Sequence, residues 1–221
     1  MRGELHVVDD VPAAFCEVVA EAWRAHERNR FSLALSGGDT ARRCYERLAT
    51  WPDSPVDWSQ AAVYWGDERC VPLDHEDSNH RLAREALLDA VGPVGELHPM
   101  LCDEADDYDR RVAGLGGLDL VHLGLGPDGH TASLFPGSPA LAAPADRHVV
   151  PNEDPTGANP HPRLTFTPTA VAAARLVVVT VEGESKRAAL DQVRAGGDVP
   201  ASLVDAPGVR WLVDHDAAGT S

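Results

Sequence analysis

The sequence contains a single lysine, Lys186, and its other eighteen basic residues are all arginines. Acidic residues number 35, which gives a formal net charge of −16 at pH 7. Nucleic acids bind to basic surfaces, so this charge argues against a nucleic-acid partner. It also means that an anionic ligand would have to be held in a local positive pocket, against an unfavourable overall field.

Long apolar runs and paired cysteine motifs are also missing. No 18-residue apolar run could cross a membrane, and the first residues, MRGELHVVDDVPAAF, lack the pattern of a signal peptide. We therefore expect a cytoplasmic protein with no membrane partner. Cys16, Cys44, Cys70 and Cys102 lack the C-x-x-C spacing of zinc and redox sites, so we expect reduced thiols.

Short apolar segments of β type alternate with helical segments along the chain. Strands are predicted at 5–8, 31–35, 61–65, 118–125, 176–181 and 209–213, and helices near 12–28, 40–49, 79–91, 103–114 and 184–195. Several strands are apolar on both faces, which favours an open, mostly parallel, doubly wound (Rossmann-like) α/β sheet with helices on both faces. No composition break divides the chain, so residues 1–221 are expected to form one domain, with a long surface loop at 151–162.

Four loops follow predicted strands, at the strand ends where open α/β sheets bind ligands. SGGDT (36–40) offers close backbone approach, a helix N-terminus and a hydroxyl group, which together suit a phosphate. GDERCVP (66–72) supplies charged side chains, and GPDGH (126–130) carries an aspartate and a histidine in one tight turn. In EGESKR (182–187), Lys186 lies in the first turn of a helix, where a cation is unfavourable unless an anion lies between it and the helix end.

Gly124, Gly126 and Gly129 have the G-x-G-x-x-G spacing of dinucleotide-binding loops. That fingerprint requires a helix directly after the glycines, with its N-terminus on the pyrophosphate. Three prolines between residues 136 and 144 would break such a helix. A dehydrogenase that binds NAD(P) is therefore an alternative, and not the preferred interpretation.

The chain resembles the 6-phosphogluconolactonase family. The matching segments are LALSGGDT, VYWGDERCVPLDHEDSNHRLAREALL, LDLVHLGLGPDGHTASLFPG, PRLTFTPTAVAAARLVVVTVEGESKRAAL and PASLV, which together span nearly the whole chain. One difference is Ala41, where the family usually has a proline. The related glucosamine-6-phosphate deaminases follow a similar D-G-H turn with a glutamate, and Phe135 stands at that position here. The resemblance therefore favours a lactonase over a deaminase.

The resemblance implies hydrolysis of 6-phospho-D-glucono-1,5-lactone to 6-phospho-D-gluconate in the oxidative pentose phosphate pathway, with no metal or other cofactor. It implies that His130 is the general base, since a neutral imidazole can accept a proton from water near pH 7. Either Asp128 or Asp67 would orient the imidazole or the water, and the sequence leaves both open. The expected substrate and phosphate contacts are Ser36, Gly37, Gly38, Thr40, Arg69, Arg163 and Lys186.

Other interpretations of the same residues are weaker. Ser36 or Ser133 could act as a nucleophile, but no G-x-S-x-G elbow is present. HEDSNH (75–80) could suggest a metal site, but it lacks the H-E-x-x-H pattern, and Ser78 or Asn79 is better explained as a helix cap. A sugar-phosphate isomerase or deaminase and a non-catalytic sugar-phosphate sensor remain alternatives, and the oligomeric state stays open.

Overall fold

The computed structural model describes residues 1–52 and 54–220, and the predicted strands and helices are confirmed to within a few residues. The strands are β1 (Glu4–Val7), β2 (Phe31–Leu35), β3 (Ala61–Trp65), β4 (Asp67–Arg69), β5 (Glu96–Leu97), β6 (Leu120–Gly124), β7 (Val149–Asn152), β8 (Arg163–Phe166), β9 (Leu176–Val181) and β10 (Gly208–Val213). The helices are α1 (Val11–Ala25), α2 (Asp39–Ala49), α3 (Asn79–Ala83), α4 (Ala105–Gly114), α5 (Pro168–Ala173), α6 (Arg187–Ala195) and α7 (His215–Ala218). A π-helical turn at Arg84–Leu88 continues α3.

Seven strands of the described chain form one sheet in the order β1-β10-β9-β6-β2-β3-β5, and every pairing in it is parallel. The predicted open α/β sheet is therefore confirmed. The chain runs from β2 outward to β3 and β5, and then returns to β6 on the other side of β2 before it continues to β9 and β10. Ligand clefts form at such switch points, beyond the carboxyl ends of the strands. The loops after β2, β3, β6 and β9 all leave the sheet at this edge.

The sheet is buried because its central strands are apolar on both faces. Every residue of β2 (FSLAL) and β3 (AAVYW) is buried, as expected for parallel strands covered by helices. Helix α1 packs on α2 and on the neighbouring strands β9 and β10. No helix in residues 1–52 or 54–220 has both the length and the apolar character needed to span a bilayer.

A second, antiparallel sheet of β4, β8 and β7 is not predicted by the sequence. β4 consists of three charged residues, and β7 contains Pro151, so neither shows an apolar β pattern. They form because β7 and β8 pair as two arms of a hairpin, onto which β4 adds. The prediction of a loop at 151–162 is therefore wrong for residues 151 and 152. The sheet also places Arg69 opposite Arg163.

The prediction that all four cysteines are reduced is wrong for two of them, because Cys70 and Cys102 form a disulfide. They are 32 residues apart, yet the fold brings their Cα atoms to 5.5 Å, within the range that a disulfide can bridge. Cys70 follows β4 directly, and Cys102 begins the turn that leads into α4. Cys16 and Cys44 are buried free thiols, and burial raises the pKa of Cys16 to about 12.

Reduction of this disulfide is expected to destabilise the fold. A cross-link that closes a loop of this size stabilises a protein by about 2–4 kcal/mol, through the entropy that it removes from the unfolded chain. Thermal unfolding with and without dithiothreitol should show a lower Tm for the reduced wild type. The variant with both Cys70→Ser and Cys102→Ser should have the lower Tm under both conditions. A wild-type Tm that does not respond to the reductant would contradict the expectation.

His122 is a histidine buried completely within β6. Its Nδ1 lies 2.9 Å from the Tyr45 hydroxyl oxygen, its Nε2 lies 2.9 Å from Thr180 Oγ1, and its ring packs on Phe15 with centroids 4.3 Å apart. Burial lowers the pKa of His122 to about 3, so the imidazole is neutral in the folded protein at neutral pH.

This buried imidazole should make the protein sensitive to mild acid. An unfolded histidine has a pKa near 6.5, so the unfolded chain binds a proton that the folded chain does not, and stability falls as the pH drops from about 6.5 toward 3. Between pH 7 and pH 5 the loss due to His122 should be about 2 kcal/mol. Urea unfolding should show this loss in the wild type and a smaller one in His122→Leu. Parallel pH dependences for the two proteins would rule out the explanation.

Candidate active site

The four loops meet in one cleft of about 430 Å³ at the carboxyl ends of the parallel strands. Eight of the ten residues singled out from the sequence line it, namely Ser36, Gly37, Gly38, Thr40, Asp67, Arg69, His130 and Lys186. The other two are not lining residues: Asp128 is bonded to His130, and Arg163 lies in the second sheet. Segments far apart in the chain thus converge on a single cleft.

The loop after β2 leaves a helix end open to an anion. Helix α2 begins after Gly38, whose φ of 92° lies in the region that favours glycine, and no side chain caps the helix. By contrast, α1 is capped by Asp10. Thr40 and Ala41, in the first turn of α2, line the cleft. The backbone N–H groups of this turn are therefore available to a negatively charged group.

The loop after β2 is also held in place by Asn79 and Tyr45. A Cβ atom at Gly37 would lie 1.9 Å from Asn79 Oδ1, so any other residue there would require Asn79 to move. The backbone N–H of Ser36 donates to the Tyr45 hydroxyl oxygen at 2.7 Å. The Ser36 amide is thus already used within the protein, and the hydroxyl group is the part of Ser36 left to contact a ligand.

The turn after β6 is closed by its glycines. The Gly126 N–H donates to the His130 carbonyl at 2.8 Å, and the Gly129 N–H donates to the Gly126 carbonyl at 3.0 Å. A Cβ at Gly126 would lie 2.1 Å from His130 Nδ1, and Gly129 has a φ of 84°. The described residues 125–138 form turns and bends without a helix, as the prolines predict. The glycines therefore serve to hold His130, and the helix of a dinucleotide site does not follow them.

His130 is held through one ring nitrogen. Its Nδ1 lies 2.5 Å from Asp128 Oδ1, and its backbone N–H donates to the same oxygen at 3.1 Å. Partial burial alone would raise the pKa of the Asp128 carboxyl, but the hydrogen bonds to His130 outweigh it and lower the pKa. Because a carboxylate only accepts hydrogen bonds, the proton lies on Nδ1 and the lone pair on Nε2. The Phe135 ring packs on the imidazole, with centroids 5.1 Å apart.

Asp67 lines the cleft but does not bond to His130. Its Oδ2 accepts from Ser133 Oγ at 2.6 Å, and its Oδ1 lies 3.2 Å from Asn79 Nδ2. Ser133 is buried and gives its proton to this carboxylate, so it does not face the cleft as a nucleophile would. Asp67 is thus fixed in place by two neighbours.

Glu68, the next residue, holds the first residues of α3 in place. Its buried carboxylate accepts from the backbone N–H groups of Asn79 at 2.8 Å and His80 at 2.7 Å, and from Ser78 Oγ at 3.0 Å. The Ser78 Oγ in turn accepts from the Arg81 N–H at 3.2 Å, so of the two residues predicted as possible helix caps, Ser78 is the one that caps α3. Among residues 1–52 and 54–220, no group of three or more His, Cys, Asp or Glu side chains is arranged to hold a metal ion.

The cations in and next to the cleft have few hydrogen-bond or ion-pair partners. Lys186 lies in a 3-10 turn that leads into α6, and burial lowers its pKa, an effect partly offset by Asp128 and Asp39. Arg163 is buried next to Arg69, donates from Nη2 to the Pro160 carbonyl at 2.9 Å, and has a pKa lowered first by burial and then by the Arg69 charge. Within the described chain, no carboxylate forms an ion pair with Lys186, Arg69 or Arg163.

The sequence did not single out several polar residues that also line the cleft. Arg43 pairs with Glu182 at 2.6 Å and donates to Thr40 Oγ1 at 3.3 Å, and Asn79 and Thr180 also line the cleft. Arg43 could have been found, because it stands three residues after Thr40 on the first turns of α2. Thr180 has no such signal, since it lies within an apolar strand.

Comparisons with known proteins agree on one family. Residues 5–213 match the family model described as "Glucosamine-6-phosphate isomerases/6-phosphogluconolactonase". A 6-phosphogluconolactonase of Synechocystis is 40% identical over 211 residues, with 86% of this chain and 85% of that protein covered. One of Rhizobium meliloti is 36% identical over 216 residues, with 90% of both chains covered.

Solved structures agree in fold. The 6-phosphogluconolactonase of Trypanosoma cruzi superposes with a TM-score of 0.86 at 28% identity, over 99% of this chain and 96% of that one. A monomeric glucosamine-6-phosphate deaminase has a TM-score of 0.81 at 20% identity, over 99% of this chain and all of that one, which shows the shared fold alone. The chain belongs to the family of glucosamine-6-phosphate isomerases and 6-phosphogluconolactonases.

Proposed function

We propose that this protein hydrolyses 6-phospho-D-glucono-1,5-lactone to 6-phospho-D-gluconate. The observation that carries the proposal is the pair formed by Asp128 and His130, which leaves the imidazole Nε2 facing a cleft that also contains Lys186 and an uncapped helix end. The relatives of Synechocystis and Rhizobium meliloti, 40% and 36% identical to this chain, carry the name of this activity.

In this mechanism His130 activates water. Nε2 takes a proton from a water molecule as its oxygen attacks the lactone carbonyl carbon, and Asp128 stabilises the imidazolium that forms. When the tetrahedral intermediate collapses, the ring C–O bond breaks and the leaving oxygen takes the proton back from Nε2. The product is a carboxylic acid, which ionises at neutral pH.

The contacts of the two aspartates support a different role for each. Asp128 orients the imidazole, because it is bonded to Nδ1. Asp67 already accepts from Ser133 and Asn79, and its remaining lone pairs can orient the attacking water. Arg69 is the cation placed to stabilise the oxyanion, since it lines the cleft without a carboxylate partner among the described residues.

The phosphate group is assigned to the loops after β2 and β9. The first-turn amides of α2, Gly37, Gly38, Thr40, the Ser36 hydroxyl and Lys186 all line the cleft and are the groups proposed to bind it. Arg163 does not line the cleft, so it does not make the phosphate contact that the resemblance implies. Its proposed role is to add positive potential next to Arg69. Binding energy from the distant phosphate would hold the lactone carbonyl near His130.

The deaminase alternative is disfavoured by Phe135. Deamination requires an additional proton carrier near the histidine, and the residue that packs on His130 is this apolar ring, buried to 98%. Incubation with glucosamine 6-phosphate should release no ammonia.

A cytoplasmic location also remains a prediction, which the thiol state of Cys70 and Cys102 in freshly opened cells would test.

The decisive assay generates the lactone in situ, because phosphogluconolactones also open spontaneously. Glucose 6-phosphate is oxidised by its dehydrogenase, and the loss of lactone is followed with and without this protein. Loss should be faster than the uncatalysed background in proportion to protein concentration. Equal decay in both reactions would reject the proposed function.

A further inference from the structure

A chain of buried polar groups crosses the sheet beneath the cleft. It runs from the Ser36 N–H to Tyr45 Oη at 2.7 Å, from Tyr45 Oη to His122 Nδ1 at 2.9 Å, and from His122 Nε2 to Thr180 Oγ1 at 2.9 Å. Each of the four residues is at most 5% exposed. The chain connects the ends of β2 and β9, two of the strands whose loops form the cleft.

The protons in this chain can be assigned by counting donors and acceptors. Burial keeps His122 neutral, so its ring has one N–H and one lone pair. The Tyr45 hydroxyl accepts from the Ser36 N–H and has one proton to give, and His122 Nδ1 at 2.9 Å is a closer acceptor than the Ser36 carbonyl at 3.3 Å. The ring proton then lies on Nε2 and is donated to Thr180 Oγ1.

This assignment leaves the Thr180 hydroxyl proton without an acceptor in the described part of the protein. Thr180 lines the cleft, as do the loop after β2 and Lys186. Its partner on the neighbouring strand β6 is Gly124, which has no side chain that could cover the hydroxyl group. Because His122 holds the oxygen and Thr180 lines the cleft, the remaining hydroxyl proton is available to a ligand there.

We propose that Thr180 donates a hydrogen bond to the phosphate group of the ligand, and that His122 and Tyr45 are positioning residues that turn its hydroxyl group toward the cleft and hold the Ser36 loop. The inference rests on the proposed function for the identity of the ligand. It adds to that function a phosphate contact made by Thr180, which lies in the otherwise apolar strand β9 and is held by a buried chain of hydrogen bonds.

The test compares Thr180→Val, which has nearly the same shape but no hydroxyl, with Thr180→Ser, which keeps it. A hydrogen bond to a charged group is worth enough that its loss should raise KM for the phosphorylated lactone about tenfold, with kcat little changed. KM for unphosphorylated glucono-1,5-lactone should not change, and Thr180→Ser should restore the wild-type value for the phosphorylated substrate. Equal effects of Thr180→Val on both lactones would overturn the inference.

His122→Leu and Tyr45→Phe test the positioning role at a temperature where both variants are folded. Each should raise KM for the phosphorylated lactone and leave KM for the unphosphorylated lactone unchanged, whereas a merely structural role would lower Tm alone. Wild-type KM values in both variants would overturn the positioning role.

Calorimetric titration with 6-phosphogluconate separates this inference from the proposed function, because binding requires no turnover. If the wild type binds and Thr180→Val binds about tenfold more weakly, the phosphate contact is supported even where no lactone is hydrolysed. If both proteins bind equally well, this inference fails while the proposed function stands. A wild type that neither binds nor hydrolyses overturns both.

Discussion

His130→Ala is expected to lower kcat for the phosphorylated lactone by about 10²–10⁴-fold, with KM little changed. The imidazole is the group in the cleft whose lone pair is directed away from its carboxylate partner, so its loss removes the proton acceptor for the attacking water. The phosphate contacts lie on other loops and should bind the substrate as before. Initial rates at several lactone concentrations, corrected for spontaneous opening, measure both constants.

A matched control for this experiment is His6→Ala, which removes an exposed histidine from β1 at the edge of the sheet. Its kcat and KM should equal those of the wild type. Asp128→Asn adds a second check, because it keeps the shape of the turn and removes the carboxylate that holds Nδ1. If His130→Ala turns over as fast as His6→Ala, water activation by His130 is excluded.

Lys186→Ala is expected to raise KM by about 10- to 100-fold and to leave kcat within a small factor of the wild type. Hydrogen bonds between charged groups contribute about 1.5–3 kcal/mol, and about 1.4 kcal/mol corresponds to a tenfold change in affinity. Lys186 is half-buried in the cleft without an ion-pair partner in the described chain, so its charge is available to the phosphate. The same steady-state assay measures the effect.

Arg187→Ala is the control for lost charge, because it removes one positive charge from the adjacent position. Arg187 points away from the cleft to the Asp216 carbonyl, with Nη2 at 2.8 Å, and it does not line the cleft. Its variant should bind the substrate as the wild type does. A KM that rises equally in both variants would mean that overall charge, and not a contact at Lys186, controls binding.

The loops of the site could be predicted because each carries its own local signal. Residues 31–35 and 176–181 are mostly apolar runs with sharp ends, and a glycine stands two positions after each of them, at Gly37 and Gly183. Parallel strands place all such ends at one edge, so a list of strand ends is nearly a list of cleft residues. That Lys186 and His130 line one cleft follows from this rule, although 56 positions separate them in the chain.

The features that were missed depend on contacts between distant segments. The disulfide joins two residues that share no motif and do not lie on elements predicted to be adjacent. Similarly, β4 pairs with β8 although nearly a hundred residues separate them in the chain. Arg163 was expected at the phosphate from the family resemblance, whereas its position is set by the hairpin with β7. His122 and Thr180 occupy strand positions where apolar residues are the rule, and only the fold shows that they face each other.

The parallel sheet also has two different ends: the cleft lies at the carboxyl ends of its strands, and other connections lie at their amino ends. The connections that enter the strands lie at the opposite edge, where Arg28 of one connection donates to the Gly117 carbonyl of another and neither lines the cleft. Affinity tags or immobilisation chemistry attached near residues 26–30 or 115–117 would be placed away from the cleft. The proposed active site and these connections thus lie at opposite ends of the strands.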